Sequence, residues 1–416
     1  MMKIKIDSPI LVILFSLIFF SDYSAQSSSE RGFLFFTKEE MVKIKNEIAA
    51  GNQEIIFYSE RLKRNAEIVM KKGPWSVTFT PSPVASGNPH DYFSESPYWW
   101  PDPADPKKPY IRKDGERNPD RFDTHRRDLE MMSQSVLTLS AASYFFNSSD
   151  YADRAIKLIN VWFLDEETKM NPHLQYAQAI RNRSDGRGVG IIDSRALVYV
   201  LEGVNFLKIY GKWNDELDAK LKEWYGSYLK WLTESKNGLD EKRGGNNHST
   251  WWSFQVGSIA DFLNEKGLME MVWDFLKNNL IENQIEADGS QPKEEARTNS
   301  LSYSFFNLDS YSMVFRLGQR NGINLWEFKN SKGGSVIESI EYILPFLKEP
   351  SGWKKQQISP LEITERRFLP LAGLGTGNIE YIMIHKEIMK KTKSKNDINE
   401  PFMLLLDLNL LVSYRD

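Results

Sequence analysis

A two-glycine turn at Gly244-Gly245 delivers two amides, an imidazole and two indoles, Asn246-Asn247-His248-Ser249-Thr250-Trp251-Trp252, into the start of an apolar helical pattern. Glycine lets the backbone turn sharply and approach a ligand closely. The pattern predicts a helix beginning at Asn246 or Asn247. Asparagine is a strong N-cap, and Trp251, Trp252, Phe254, Val256, Ile259, Ala260, Phe262 and Leu263 continue at nearly helical spacing. His248 then falls in the first turn, beside unpaired backbone N–H groups and the positive end of the helix dipole. That setting disfavours an imidazolium and predicts a neutral imidazole able to accept a proton. We read these residues as the floor of an active site. The structural alternative is that the asparagine only caps the helix and His248 is a hydrogen-bonded structural residue.

A second cluster follows at Asp288-Gly289-Ser290-Gln291-Pro292-Lys293-Glu294-Glu295-Ala296-Arg297-Thr298-Asn299-Ser300-Leu301-Ser302-Tyr303. Arg297 and Tyr303 are six residues apart, which on one continuous helix places them on different faces. Both reach one cleft only if the helix starts near Thr298 or Ser300, with Arg297 on the entering loop. Taken alone, Glu294 and Arg297 read as an ordinary salt-bridged helix start and Tyr303 as an ordinary half-buried tyrosine. Asn, His, Arg and Tyr together are the groups needed to cleave an acidic polysaccharide by β-elimination. The C5 proton of a uronate is weakly acidic because the adjacent carboxylate is already negative. Its removal needs that charge neutralised by an arginine, amide donors or a protonated acid. A base then takes the C5 proton and an acid protonates the departing O4. No water attacks, so neither a metal nor a glycosidase-type carboxylate pair is required.

These groups need a scaffold, and the pattern predicts one made of helices. A capping box, Thr37-Lys38-Glu39-Glu40, opens a helix to about Ala50, and Gln53 to Lys71 is amphipathic. Further helices are predicted over roughly 129–146, 151–164, 191–210, 214–235, 247–264, 269–278, 301–322 and 336–347, with no strand pattern of comparable length. Antiparallel hairpins over more than 300 residues, with no short repeat, suggest paired helices in a ring with catalytic groups at one face. Between about Lys72 and His125 the periodicity disappears. There the chain is rich in proline and aromatics, through Asn88-Pro89-His90-Asp91-Tyr92 and Ser96-Pro97-Tyr98-Trp99-Trp100-Pro101, followed by Arg112, Lys113, Arg117 and Arg121. Aromatic density argues against disorder and long irregular loops are commonly functional. We read this segment as a loop packed over one end of the domain, with Tyr98, Trp99 and Trp100 in or near a sugar-binding groove; wedging the loop onto the core is the alternative for each ring.

Composition bounds the class of function. The 416 residues carry a net charge of -3, which gives no global basic field for nucleic acid. The chain has no cysteine, which removes disulfides, thiolate metal sites and thiol catalysis. Its 12 tryptophans and 17 tyrosines suit stacking on sugar rings, core packing being the alternative. Lys3 and Lys5 precede the apolar run Ile10 to Phe20 and a small-residue site at Ala25, an export-signal pattern shorter than the ~20 residues of a membrane span. The expected organisation is therefore a signal peptide over 1–25 and a single helical domain over 26–416, with no membrane association after cleavage and a periplasmic or secreted location in a bacterium.

The paired motifs Asn247-His248-Ser249-x-Trp251 and Glu294-x-x-Arg297-Thr298-x-Ser300-Leu301-x-Tyr303 resemble those of the alginate lyase superfamily. With the aromatic segment at Ser96 to Pro101, the chain is most similar to polysaccharide lyase family 38, from about Phe33 to the last helices. The resemblance implies an all-α (α/α) toroid, an incomplete helical barrel of antiparallel helix pairs with a long aromatic loop, residues 72–125, over the cleft. It implies Tyr303 as the acid, and as the base too when the departing groups are syn, with His248 as the base in the anti case. Arg297 and Asn247 would hold the carboxylate. Glu241 is a candidate protonated carboxyl bonded to the substrate, the alternative being that Asp240 and Glu241 are solvated charges.

The remaining candidates follow from residue type. Substrate contacts are expected from Tyr98, Trp99, Trp100, His90, Arg187 and Trp251. Arg112, Lys113, Arg117, Arg181, Arg183, Lys242 and Arg243, all on expected loops, are further cations for a polyanion. No His/Asp/Glu spacing resembles a zinc or calcium site, so no cofactor is expected. The reading is a polyuronate lyase with alginate as substrate, the alternative being a lyase for glucuronan or another glucuronate polymer. A toroid-type hydrolase would need an acidic pair from Asp91, Asp193 and Glu241. A sugar-binding protein would depend on Trp99 and Trp100 and not on Tyr303.

Overall fold

The apolar periodicity resolves into helices whose starts are set by short polar side chains. In the computed structural model, which describes residues 32–105, 107–361, 366–391 and 400–414, Thr37 and Glu40 form the capping box that opens α1 (Lys38–Ala49). Asn52 caps α2 (Gln53–Val69). There follow α3 (Thr124–Phe146), α4 (Ser149–Ile159), α5 (Leu197–Ile209), α6 (Asp215–Glu234), α7 (Lys236–Arg243), α8 (Asn247–Leu263) and α9 (Lys266–Phe275). Two short turns, α10 (Glu282–Gln284) and α11 (Pro292–Glu295), lead to α12 (Ser300–Arg320), α13 (Val336–Lys348), α14 (Phe368–Thr376), α15 (Ile379–Lys391) and α16 (Pro401–Ser413).

Burial sorts these helices into two layers. Residues of α16 from Pro401 to Val412 are all buried, and α3, α5, α8 and α12 are buried on most of their circumference. In sequence of contact α3 packs on α5, α5 on α8, α8 on α12 and α12 on α14, and α16 touches both α14 and α3. Helices with one apolar face stand outside, α2 and α4 against α3, α6 and α9 against α8, and α15 against α14. The closing apolar segment of the chain thus packs on α1, α2 and α3, as its composition suggests. By its contacts Phe33–Asp416 is one unit. Among the described residues no helix is long and apolar enough to cross a membrane. The expected export signal lies outside the described residues.

The segment between α2 and α3 is largely irregular, as its composition predicts. It holds β1 (Phe93–Glu95), β2 (Trp99–Trp100) and β3 (Ile111–Arg112). β2 and β3 pair antiparallel, and β1 pairs parallel with β4 (Tyr176–Ala179). Two expectations change. Residues 236–243, expected as loop, form α7, whose cap is Ser235 and whose buried residues are Asn237, Gly238 and Glu241. The helix expected from Ile191 begins as a 3-10 stretch, Gly188–Ser194, before α5. A Cβ on Gly190 would lie 2.5 Å from Ala177 Cβ, so glycine is needed where this stretch crosses β4.

Candidate active site

The helix starts converge on one cavity of about 960 Å³, lined from β2 and the loop after it, α7, the first turns of α8 and α12, and the segment before α14. Its wall includes Tyr98, Trp99, Arg187, Glu241, Asn247, His248, Arg297 and Tyr303.

At the α8 end Gly245 adopts φ 67, a left-handed conformation that favours glycine. Asn246 caps the helix and accepts from His248 N at 3.2 Å. Asn247, fully buried, gives its backbone N–H to Glu294 Oε1 at 2.6 Å and its Nδ2 to Glu294 Oε2 at 2.7 Å. Glu294 therefore serves Asn247, not Arg297 as its spacing suggests. His248 Nδ1 meets Glu241 Oε1 at 2.8 Å, a carboxylate buried to 1% exposure and delivered by α7. Burial pushes the His248 pKa down, but the Glu241 charge and hydrogen bond, with Glu294 behind them, outweigh burial and Arg297, and the net direction is up. The helix dipole alone predicts a lowered pKa, and the adjacent carboxylate reverses that direction by outweighing the partial charge of a helix terminus. Asp240, at 41% side-chain exposure, is the solvated acid of this pair of neighbours, and Glu241 is not.

At the α12 end Arg297 stands on the entering segment and Tyr303 on the first turn, as the cleft geometry requires. Arg297 NH2 donates to Tyr303 Oη at 2.8 Å, and its guanidinium carbon lies 3.9 Å from the centre of the Tyr303 ring. Tyr303 Oη donates to Tyr98 Oη at 2.9 Å. Burial, reinforced by Tyr98, raises the Tyr303 pKa despite Arg297, so the resting side chain is the phenol. Asp114, between β3 and Gly115, grips the same arginine, with Oδ2 3.2 Å from Nε and Oδ1 2.9 Å from NH2. Thr298 Oγ1 and Arg112 NH2 also donate to Asp114, at 3.1 and 2.7 Å. Burial would raise the Asp114 pKa, but Arg297 and Arg112 hold it well below the usual carboxylate range. Among the described residues no group takes Arg297 NH1, which leaves that nitrogen for a ligand.

Other candidates divide between cavity and core. Trp99 lines the cavity under Arg183 and Arg187, whose guanidinium carbons lie 4.9 and 5.9 Å from its ring. Arg187 donates to Ser96 Oγ at 2.7 Å, and burial and the neighbouring Arg112 push its pKa down to about 10. Three expected contacts stand elsewhere. Trp251 is 3% exposed and packs on Phe254 and Phe306, because the α8 face that carries it turns inward. His90 Nδ1 is bonded to Lys169 O at 2.7 Å and lies outside the cavity wall. Trp100 is also outside it, covered by Lys113 and bonded to Glu116 O. Lys242 lies over Trp252 and Phe275, away from the cavity, and Arg181 pairs with Glu95. Of the acids a hydrolase would need, Asp91 is bonded to Ser86, Asn171 and His173 outside the cavity. Asp193 spends both oxygens on Tyr92, Ser94 and Gln178. Glu241 gives Oε1 to His248, so none of these three candidates stands as a free acidic pair across the cavity. Among the described residues no group of three or more His, Asp or Glu could hold a metal ion.

Comparison with known proteins identifies the family. The family profile described as alginate lyase matches residues 76–353. The chain belongs to the alginate lyase family. It is accordingly a polysaccharide lyase. A crystal structure of an alginate lyase from Bacteroides ovatus is similar to this lyase at 31% identity and a TM-score of 0.82, over 90% of this chain and 98% of that one. Alginate lyase A1-III from Sphingomonas species A1 shares the fold at 16% identity and a TM-score of 0.53, over 90% of this chain and 95% of that one. A variant of A1-III complexed with a tetrasaccharide does so at 14% identity and a TM-score of 0.51, over 90% and 94%. Comparison with curated protein sequences gives no match. The fold is the (α/α) toroid of these enzymes. Sequence reasoning missed Asp114 and Glu294 as partners in this lyase, and also the cavity arginines Arg126, Arg195 and Arg366. Only Glu294 carried a signal, its place in the motif before Arg297. Arg366 enters the cavity from beyond the matched residues.

Proposed function

We propose that this lyase cleaves a 1,4-linked polyuronate, alginate first, by β-elimination to unsaturated oligouronates. The observation that carries the reading is the Tyr303 hydroxyl held between Arg297 and Tyr98, at the cavity that also receives Asn247 and a carboxylate-backed His248. Arg297 NH1 and the second Nδ2 hydrogen of Asn247 meet the uronate carboxylate and draw charge from C5. A base removes the C5 proton, the C4=C5 double bond forms, the C4–O4 bond breaks, and Tyr303 protonates O4. In a mannuronate H5 and O4 are syn, so one tyrosine serves in turn as base and acid. In its C5 epimer, guluronate, they are anti, and His248 Nε2 serves as base. Glu241 orients that imidazole through Nδ1. Tyr98, Trp99 and Arg187 contact the chain of sugars.

Glucuronate shares the C4 and C5 configuration of mannuronate, so the Tyr303 arrangement equally supports glucuronan as an alternative substrate. Ultraviolet absorbance with time on polymannuronate, polyguluronate and glucuronan tests the reading, since the new double bond is conjugated with the carboxylate. Reducing ends without that absorbance would overturn it. We also propose that the chain is exported to the periplasm or beyond and cleaved after Ala25, on the strength of its apolar run after Lys3 and Lys5. Amino-terminal sequencing of the cell-fractionated protein tests this, and an intact Met1 would refute it.

A further inference from the structure

Glu294 is a carboxylate at 1% exposure that among the described residues has no ion-pair partner. Both of its oxygens are spent on one residue, the backbone N–H and Nδ2 of Asn247. The backbone N–H belongs to the first turn of α8, where no intrahelical acceptor exists and the helix dipole favours an anion. The side-chain contact has a different consequence. An asparagine amide presents donors at one end and an acceptor at the other, and its two orientations have nearly the same shape. Burial raises the Glu294 pKa, opposed by the two Asn247 N–H donors, which both meet acceptor oxygens; as a carboxylate it accepts only and selects the Nδ2 end, whereas the flipped amide would set Oδ1 against Glu294 Oε2. Asn247 Oδ1 is left buried without a partner, a cost the arrangement bears to keep Nδ2 where it is.

We propose that Glu294 is a positioning residue for the elimination: it locks the Asn247 amide so that an N–H, and never Oδ1, meets the carboxylate of the uronate. This rests on the reading above, in which Asn247 faces that carboxylate. An amide turned the other way would place an oxygen against the substrate anion and oppose the neutralisation that makes the C5 proton removable. Glutamine at 294 offers one acceptor and one donor group to two N–H donors, so it would meet one of them with its own NH2 and release the lock. Glu294 also bears on the ring of His248, which faces Glu241 from α7, Glu294 from α11 and Arg297 from the segment before α12.

The test is a double-mutant cycle of Glu294→Gln and Asn247→Ala on whichever polyuronate the wild type cleaves. Glu294→Gln alone is expected to lower kcat/KM by about 30-fold, the scale of a lost charge-assisted contact. In the Asn247→Ala background the same change is expected to cost less than about twofold, because its effect runs through Asn247. A full 30-fold loss in that background, or no loss in either, would overturn the proposal. A readout free of turnover guards against a poorly folded variant and against failure of the functional reading. In the wild type one Asn247 Hδ2 resonance should lie well downfield of the ordinary amide range and exchange slowly, and the His248 pKa should fall in Glu294→Gln. An ordinary, fast-exchanging Asn247 amide in the wild type would refute the lock even if the enzyme proves active, whereas silence on every polymer would refute the substrate reading alone.

Discussion

Replacing Glu241 by glutamine should lower the His248 pKa while leaving its tautomer in place, since Gln can still accept from Nδ1–H. His248 Nδ1 stands 2.8 Å from Glu241 Oε1. A unit-charge pair about 4 Å apart is worth about 4 kcal/mol at an effective dielectric of about 20. Burial works against that charge and is the largest single influence on the ring, with Glu294 adding to Glu241 and Arg297 opposing. Once the Glu241 charge is gone burial prevails, and the His248 pKa should fall from above its ordinary value to below it. Two-bond nitrogen–proton correlation spectra of the histidine rings read this directly, and kcat/KM against pH reads its effect. Where neutral His248 is the base, on polyguluronate, the wild-type rate should climb as pH rises through the raised pKa, and the climb should move to lower pH in Glu241→Gln. Stability follows the same group. Because the folded pKa is raised, the stabilisation is fully present below about 6.5 and is lost as pH rises through the raised value, so the variant should be most destabilised relative to wild type in mildly acid solution. A His248 pKa unchanged or higher in Glu241→Gln would refute the account of the dyad.

Tyr303→Phe should lower kcat by about 10³-fold with KM nearly unchanged, since it removes a proton donor and not a binding surface; initial rates by absorbance measure both. Asp114→Asn should lower KM for the polymer by about fivefold, because Asp114 presents to Arg297 the carboxylate that the substrate must present in its turn, while a raised KM would mean that Asp114 instead holds the arginine for catalysis. Gly115→Ala should raise KM and lower stability by about 1–3 kcal/mol in thermal melts, because Gly115 has φ 81 and a Cβ there would lie 2.6 Å from Thr298 Oγ1.

The couplings in these tests share one layout. Three of the four site side chains are each held by a buried or half-buried acid, His248 by Glu241, Asn247 by Glu294 and Arg297 by Asp114, and the fourth, Tyr303, by Arg297 and Tyr98. Three acids next to three groups that must handle an anionic substrate look self-defeating. The cavity wall compensates with Arg112, Arg117, Arg187, Arg195 and Arg366, which supply the attractive field while the acids set orientation and protonation.

What the sequence by itself determined is what depends on neighbours in the chain. The capping box at Thr37, the helix start at Asn246, the break before Ser300 that leaves Arg297 on the entering segment, and the irregular stretch before α3 all follow from propensities and periodicities a few residues long. Those are local free energies, legible without a fold. The ring of helices was legible as a class because amphipathic hairpins must bury their apolar faces on one another. Only the tertiary structure decided who holds whom. Asn247 and Glu294 are 47 residues apart, Arg297 and Asp114 183, and Tyr303 and Tyr98 205. It decided likewise that Trp251 faces the core, that His90 ties down a loop, and that the His248 pKa is raised rather than lowered. Protonation and orientation in a buried site depend on charges within a few ångströms, and which charges those are is settled by how the chain closes on itself.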